Sequence, residues 1–282
     1  MFLISGSASE SIAHELSTIT DIKLANIDNY RFPDSELYVR MKESVENEEV
    51  IIIQTTYPDE KIIELFLLLD ACKRSKAKKI TVVIPYFGYA RQDKQFKPGE
   101  PVSAALLASF ISIYANEVIT IDIHKQHILD FFSIPAKNLS AVPIIAEYLK
   151  SKNIDLVLAP DKGAFENAKK AASILQCEVD YLQKTRIDGS TIKITPKNLA
   201  VKGKCVAIVD DIISTGGTMA TAIKELKKQE ASKVYVACTH GLFAGNAVSK
   251  LKQAKCDEII ATDTIHSEFS SVKIASIISN SL

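Results

Sequence analysis

Residues 206–218 read VAIVDDIISTGGT. Four apolar residues lead into two adjacent carboxylates, Asp210 and Asp211. Ser214, Thr215, Gly216, Gly217 and Thr218 follow. A helix that begins after such a loop presents unpaired N–H groups and the positive end of its dipole, and both favour an anion. The glycines let the backbone approach that anion closely, and the hydroxyls add donors. These parts make a phosphate cradle. Asp210 and Asp211 cannot face the phosphate. They suit vicinal hydroxyls, to which a carboxylate is a strong acceptor, or a divalent cation. A phosphate at one end and a diol at the other is the outline of ribose 5-phosphate.

Four further stretches carry chemistry. Residues 85–104, PYFGYARQDKQFKPGEPVSA, hold Arg91 and Gln92, a forked guanidinium and an amide that suit phosphate oxygens. FPDSE puts Phe32, Asp34 and Glu36 at alternating positions around Ser35. An aromatic face with carboxylate acceptors for an exocyclic amine suits adenine, and the same pattern is that of an edge strand. His124 closes the run VITIDIH and Asp161 follows DLVLAP, both at the carboxyl ends of strands. In YLQKTR, Lys184 and Arg186 stand two apart on an extended segment and so share a face. Two cations on one face repel unless an anion or solvent lies between them.

The elements that must position these residues alternate along the chain. Residues 49–53, 79–87, 117–123, 155–159, 205–209, 233–237 and 258–262 are continuous apolar runs, as strands covered on both faces are. Helical patterns lie between several of them. After the glycine loop, Met219, Ala222, Ile223 and Leu226 form one apolar stripe. Strand–helix–strand alternation predicts a mainly parallel α/β sheet. Residues 50–83 and 205–237 share one plan of strand, loop, helix, lysine and strand. The second strands, 79–83 and 233–237, align at a fixed offset, which predicts two similar domains joined near Pro135–Pro143. The first copy lacks the aspartates and the paired glycines.

Composition sets the outer bounds. The 282 residues are 47% hydrophobic and 24% charged, enough for a sizeable core. A net charge of +0 draws the chain neither to nucleic acid nor to an anionic membrane, so any anion site must be local. Five cysteines without a Cys-x-x-Cys pair argue against a disulfide framework and a zinc site, and fit a reducing cytosol. The opening MFLISGSAS has no basic segment of a secretory signal. The densest apolar stretch, residues 62–69, is far shorter than a bilayer span and contains Glu64.

The acidic doublet followed by IISTGGT resembles the phosphoribosyl diphosphate loop of the type I phosphoribosyltransferases. RFPDSELYVR (31–40), the 85–104 stretch, DIH (122–124) and KTR (184–186) narrow the likeness. Together they are similar to ribose-phosphate diphosphokinases, over nearly the whole chain. The resemblance implies an α/β chain of two tandem phosphoribosyltransferase-like domains, each a mainly parallel sheet flanked by helices. Residues 1–140 would carry the ATP segments without a ribose-phosphate loop, and 141–282 the loop and the catalytic pair. The implied reaction moves the β,γ-diphosphoryl group of Mg-ATP to ribose 5-phosphate. The resemblance makes Lys184 and Arg186 catalytic and gives Phe32, Asp34, Ser35, Glu36, Arg91 and Gln92 to ATP. It gives Arg186, Asp210, Asp211, Ser214, Thr215, Gly216, Gly217 and Thr218 to ribose 5-phosphate, and His124 and Asp161 to Mg²⁺. Imidazole is an uncommon partner for that ion, so the histidine contact is expected through water. In the family the FPDSE segment is generally brought by a neighbouring subunit, which implies a homo-oligomer, at least a dimer, in the cytoplasm. The chain departs from the family at Ser35 and Asp130, where glycine is usual, and at His127, where glutamine is. It has Gly163-Ala164 in place of Gly-Gly, and Asn167 in place of an arginine.

Overall fold

The computed structural model describes residues 1–186, 192–195 and 200–282, those of 183–186 and 192–195 as backbone. The chain forms two compact units, residues 1–140 with 274–282, and residues 141–273.

The first unit contains β1 (Phe2–Ser5), α1 (Glu10–Thr20), β2 (Lys23–Leu24), β3 (Ile27–Arg31), β4 (Leu37–Met41), β5 (Glu49–Ile53), α2 (Glu60–Arg74), β6 (Lys79–Ile84), α3 (Ser103–Tyr114), β7 (Glu117–Ile121) and β8 (Ala136–Leu139). Six strands form one parallel sheet in the order β2-β1-β5-β6-β7-β8. Ile52, Val82 and Ile84 of its strands bury against Leu65, Leu68 and Leu69 of α2 and Ile111 of α3. Each fully buried side chain of this size contributes about 1.5–3 kcal/mol over an exposed one.

The second unit contains α4 (Val142–Leu149), β9 (Leu156–Ala159), α5 (Phe165–Leu175), β10 (Glu178–Tyr181), β11 (Gln183–Arg186), β12 (Ile192–Thr195), β13 (Cys205–Ile213), α6 (Gly217–Lys228), β14 (Lys233–Gly241), α7 (Ala247–Gln253), β15 (Glu258–Thr262) and β16 (Ser270–Val272). Its parallel sheet runs β10-β9-β13-β14-β15-β16. The predicted stripe of α6, Met219, Ala222, Ile223 and Leu226, is buried. The last helix, α8 (Ala275–Ser279), belongs to the first unit and packs on α1.

Numbered within each unit, the two sheets have the same strand order. Each unit also inserts an antiparallel hairpin at the same place, between its second sheet strand and its third: β3–β4 in the first, β11–β12 in the second. The repeated plan of the sequence is therefore a repeat of topology, and its aligned second strands are β6 and β14.

The strand end under the acidic doublet differs from expectation. The apolar run predicts a strand over 205–209, but β13 continues through both aspartates to Ile213. Pairing with β14 carries it on, with Asp210 opposite Cys238 and Ile213 opposite Gly241. Ladder bonds on the neighbouring strand override the weak β-propensity of aspartate.

Candidate active site

The loop after β13 is held from behind. The carbonyls of Ile213 and Ser214 accept from the N–H groups of Phe243 (3.1 Å) and Ala244 (3.0 Å). The carbonyl of Thr215 accepts from Lys250 Nζ at 3.2 Å. The first bond of α6 runs from Ala220 N–H to the Gly216 carbonyl, 2.9 Å. Among the described residues nothing accepts from the N–H groups of residues 215–219. A consecutive run of amide donors at a helix N-terminus is an anion cradle built from main chain.

The two glycines have different reasons to be glycine. Gly216 has φ +69, and a Cβ there would lie 3.2 Å from the Ala247 carbonyl oxygen and 3.3 Å from its Cα and Cβ. The fold itself requires it. A Cβ on Gly217 would meet nothing within 4 Å, and its φ is not in the left-handed region. That space is open for a ligand to approach the backbone.

Asp210 and Asp211 lie partly buried at the end of β13. Burial first, and then the charges of Asp211 and Asp161, push the Asp210 carboxyl up to about 8, against the bond its Oδ1 accepts from Asp211 N–H at 2.9 Å. Asp161 follows β9, the strand beside β13. Its Oδ1 accepts from the N–H groups of Gly163 (2.8 Å) and Ala164 (3.2 Å), which fixes the carboxylate at the turn into α5. Asp210 thus feels the charges of both Asp211 and Asp161, and carboxylates of this kind suit hydroxyls or a hard divalent cation. No group of three His, Cys, Asp or Glu side chains arranged for a metal occurs among the described residues.

Lys184 and Arg186 lie on β11, opposite Ile194 and Ile192 of β12. Residues two apart on a strand share a face. Their side chains lie outside the described residues.

In the first unit, Phe32, Asp34, Ser35 and Glu36 form the turn of the β3–β4 hairpin rather than an alternating edge strand. Pro33 fixes φ and lacks a donor, and Asp34 Oδ1 accepts from Glu36 N–H at 3.0 Å, a turn chemistry that the alternation conceals. Phe32 N–H donates to the Glu36 carbonyl, and Ser35 N–H to the Phe32 carbonyl, both at 2.9 Å. Ser35 holds φ 74, a left-handed conformation better suited to glycine. Phe32 is 42% exposed and meets the rings of Tyr30 and Tyr38 edge-on at 5.6 and 5.5 Å.

Arg91 and Gln92 follow β6. Arg91 is exposed, and Gln92 Oε1 accepts from Ser103 Oγ at 2.6 Å, which ties it to the start of α3. His124 stands beyond β7, which ends at Ile121 and not at the histidine, because Asp122 turns the chain with φ 37. Next to these segments His127 Nε2 lies 3.1 Å from Asp93 Oδ2. Arg91, Gln92, His124, Asp161 and the 214–218 loop thus all follow carboxyl ends of parallel strands, where ligands bind in open α/β sheets. Within the first unit the segments after adjacent strands β6 and β7 hold Arg91, Gln92 and His124; within the second, those at β9 and β13 hold the aspartates and the loop.

Two side chains tied to these segments went unread in the sequence. Lys250 sits in a lysine-rich helix with no motif around it. Glu64 moors the hairpin through Asn29, and its one signal is a charge inside the apolar run IIELFLLL.

Known proteins match this chain in both halves. Residues 1–114 match the N-terminal domain of ribose phosphate pyrophosphokinase, and residues 139–273 the phosphoribosyl transferase domain. The ribose-phosphate pyrophosphokinase of Methanosarcina acetivorans is 43% identical over 284 residues, covering 100% of this chain and 99% of its own length. That of Pyrococcus furiosus is 42% identical over 283 residues, covering 99% of this chain and 100% of its own. The crystal structure of phosphoribosylpyrophosphate synthetase from Mycobacterium smegmatis superposes with a TM-score of 0.87 at 29% identity, over 99% of this chain and 96% of that one. A chain matched from end to end in sequence, in both halves and in fold belongs to the ribose-phosphate pyrophosphokinase family.

Proposed function

We propose that the chain transfers the β,γ-diphosphoryl group of Mg-ATP to the anomeric hydroxyl of ribose 5-phosphate, giving 5-phosphoribosyl 1-diphosphate and AMP. The observation that carries this reading is the run of amide donors at residues 215–219 beside two carboxylates, in a chain with full-length relatives named for this reaction. The anomeric oxygen attacks the β-phosphorus. The bond from that phosphorus to the oxygen bridging the α-phosphorus breaks, AMP leaves with the bridging oxygen, and the hydroxyl proton passes to solvent. Such transfers gain mainly from positioning and charge neutralisation.

We assign the sugar phosphate to the amides and hydroxyls of residues 214–218 and to Arg186, and its diol to Asp210 and Asp211. Lys184 and Arg186 neutralise the charge that grows on the leaving oxygen. Phe32, Asp34, Ser35, Glu36, Arg91 and Gln92 take ATP. Mg²⁺ would be held by Asp161, and by His124 through a water, and would neutralise charge on the diphosphoryl oxygens. No side chain acts as a nucleophile.

A homo-oligomer belongs to this reading. It is supported by the outer face of α3, where Leu106, Phe110 and Ile113 are exposed on a helix without a charged residue. The five cysteines are free thiols, which supports the cytoplasm, and among the described residues no helix is long and apolar enough to cross a membrane.

The deciding experiment measures AMP and 5-phosphoribosyl 1-diphosphate with ATP, Mg²⁺ and ribose 5-phosphate. Both products should form in equal amounts and only with all three present. AMP release that ignores ribose 5-phosphate would overturn the reading.

A further inference from the structure

Three consecutive carbonyls, those of Ile213, Ser214 and Thr215, point towards the segment 243–250. A peptide unit is planar and trans, so its C=O and N–H point opposite ways. Turning these carbonyls back therefore turns the N–H groups of Ser214, Thr215 and Gly216 forward. Main chain supplies the first two partners, Phe243 and Ala244. By the third, α7 has begun, and its first residue, Ala247, packs against Gly216. A side chain must take over. Lys250 stands three residues after Ala247 on the same helix face, and its ammonium donates to the Thr215 carbonyl at 3.2 Å.

We propose that Lys250 is a positioning residue for the sugar-phosphate loop, holding the Thr215 carbonyl so that the Gly216 amide and those after it face the phosphate. The inference rests on residues 214–218 being the phosphate cradle, as argued above. Lys250 acts through the loop and is not itself a phosphate ligand, since its bond is to the carbonyl on the back of the cradle. Its orienting effect is short-range, unlike that of a charge acting through solvent.

The test uses the full-length enzyme. Lys250→Met keeps the apolar stem and removes the donor, and Lys250→Arg keeps a donor within reach of the carbonyl. Ribose 5-phosphate is titrated calorimetrically, and initial rates give KM for each substrate. Lys250→Met should weaken ribose 5-phosphate about tenfold in Kd and KM, while the KM for ATP and the saturated kcat stay within about threefold. Lys250→Arg should restore most of the loss. The defect should persist in about 1 M salt, where charges act over only roughly 3 Å. Wild-type affinity in Lys250→Met, or a defect that salt abolishes, overturns the proposal. Gly217→Val, run alongside, separates the two readings. If it still binds ribose 5-phosphate normally, the cradle itself is misassigned. If it loses binding while Lys250→Met does not, the cradle stands and the role of Lys250 falls.

Discussion

Asp210 shares the end of β13 with Asp211, and burial together with the charges of Asp211 and Asp161 lifts its carboxyl to about 8. Asparagine at this position keeps the shape and removes the repulsion. Asp210→Asn is expected to raise stability at mildly alkaline pH by about 1 kcal/mol. On the proposed assignment it should also lower kcat/KM for ribose 5-phosphate about tenfold, because the amide replaces one of the two carboxyl oxygens that the diol would use. Thermal melts beside initial rates check both, and equal melting temperatures would show that the doublet puts no strain on the fold. At this scale the sequence reveals residue types but not their surroundings. Asp210, Asp211 and the glycine loop are legible because strand, doublet and glycines adjoin in the chain. That Gly216 serves the fold and Gly217 leaves open space is not legible, since it depends on Ala247, thirty-one positions after Gly216 in the sequence. The bond from Lys250 to Thr215 is hidden for the same reason.

Among elements, the hairpin β3–β4 depends on a buried carboxylate. Glu64 of α2 is 1% exposed. It accepts from Ser7 N–H and Ser7 Oγ, both at 2.6 Å, from Asn29 Nδ2 of β3 at 2.7 Å, and from Lys61 Nζ at 3.3 Å. Burial raises its pKa, but the bonds from Ser7, the charge of Lys61 and the bond from Asn29 together bring it below the ordinary 4.5. A lowered carboxylate pKa contributes stability that is complete above 4.5 and is lost as pH falls through the lowered value. Glu64→Gln should therefore destabilise the enzyme by about 2 kcal/mol at neutral pH. Melting curves at a series of pH values should show the gap from wild type closing as the solution is acidified below 4.5. A gap independent of pH would mean that packing, not charge, holds Glu64. The sequence shows the central strands β5, β6, β7, β9, β13, β14 and β15, whose apolar runs are buried on both faces. It hides β2, β8, β10 and β16, which form the sheet edges and have mixed or exposed patterns. It also hides β1, four residues long, whose neighbours come from elsewhere in the chain. The hairpin turn is missed because alternation at Phe32, Asp34 and Glu36 looks like a strand when the bonds across the turn are not visible.

For the whole molecule, the apolar outer face of α3 bears on the proposed homo-oligomer. Leu106, Phe110 and Ile113 are 56%, 46% and 63% exposed, and Phe110 stacks near Phe66 of α2 at 5.8 Å. A charge there leaves the isolated fold nearly unaffected, as exposed substitutions do, within about 0.5 kcal/mol. Phe110→Glu is expected to reduce the mass measured by light scattering and, with it, the specific activity, without lowering the melting temperature of the dissociated chain. Unchanged mass would remove α3 from the subunit contact. The course of the chain through its two units has a further consequence, for synthesis. The first unit needs α8, with Ile278 and Ala275 buried, yet α8 is encoded after the entire second unit. At about 5–20 residues per second, the ribosome spends on the order of ten seconds making residues 141–273 while the first unit lacks its last helix. During that interval the side of α1 that α8 will cover, beside the buried Ile12 and Leu16, stands open to solvent and to chaperones. The contact between α8 and α1 therefore forms only after the whole second unit has been made, so the first unit is completed last although it begins first.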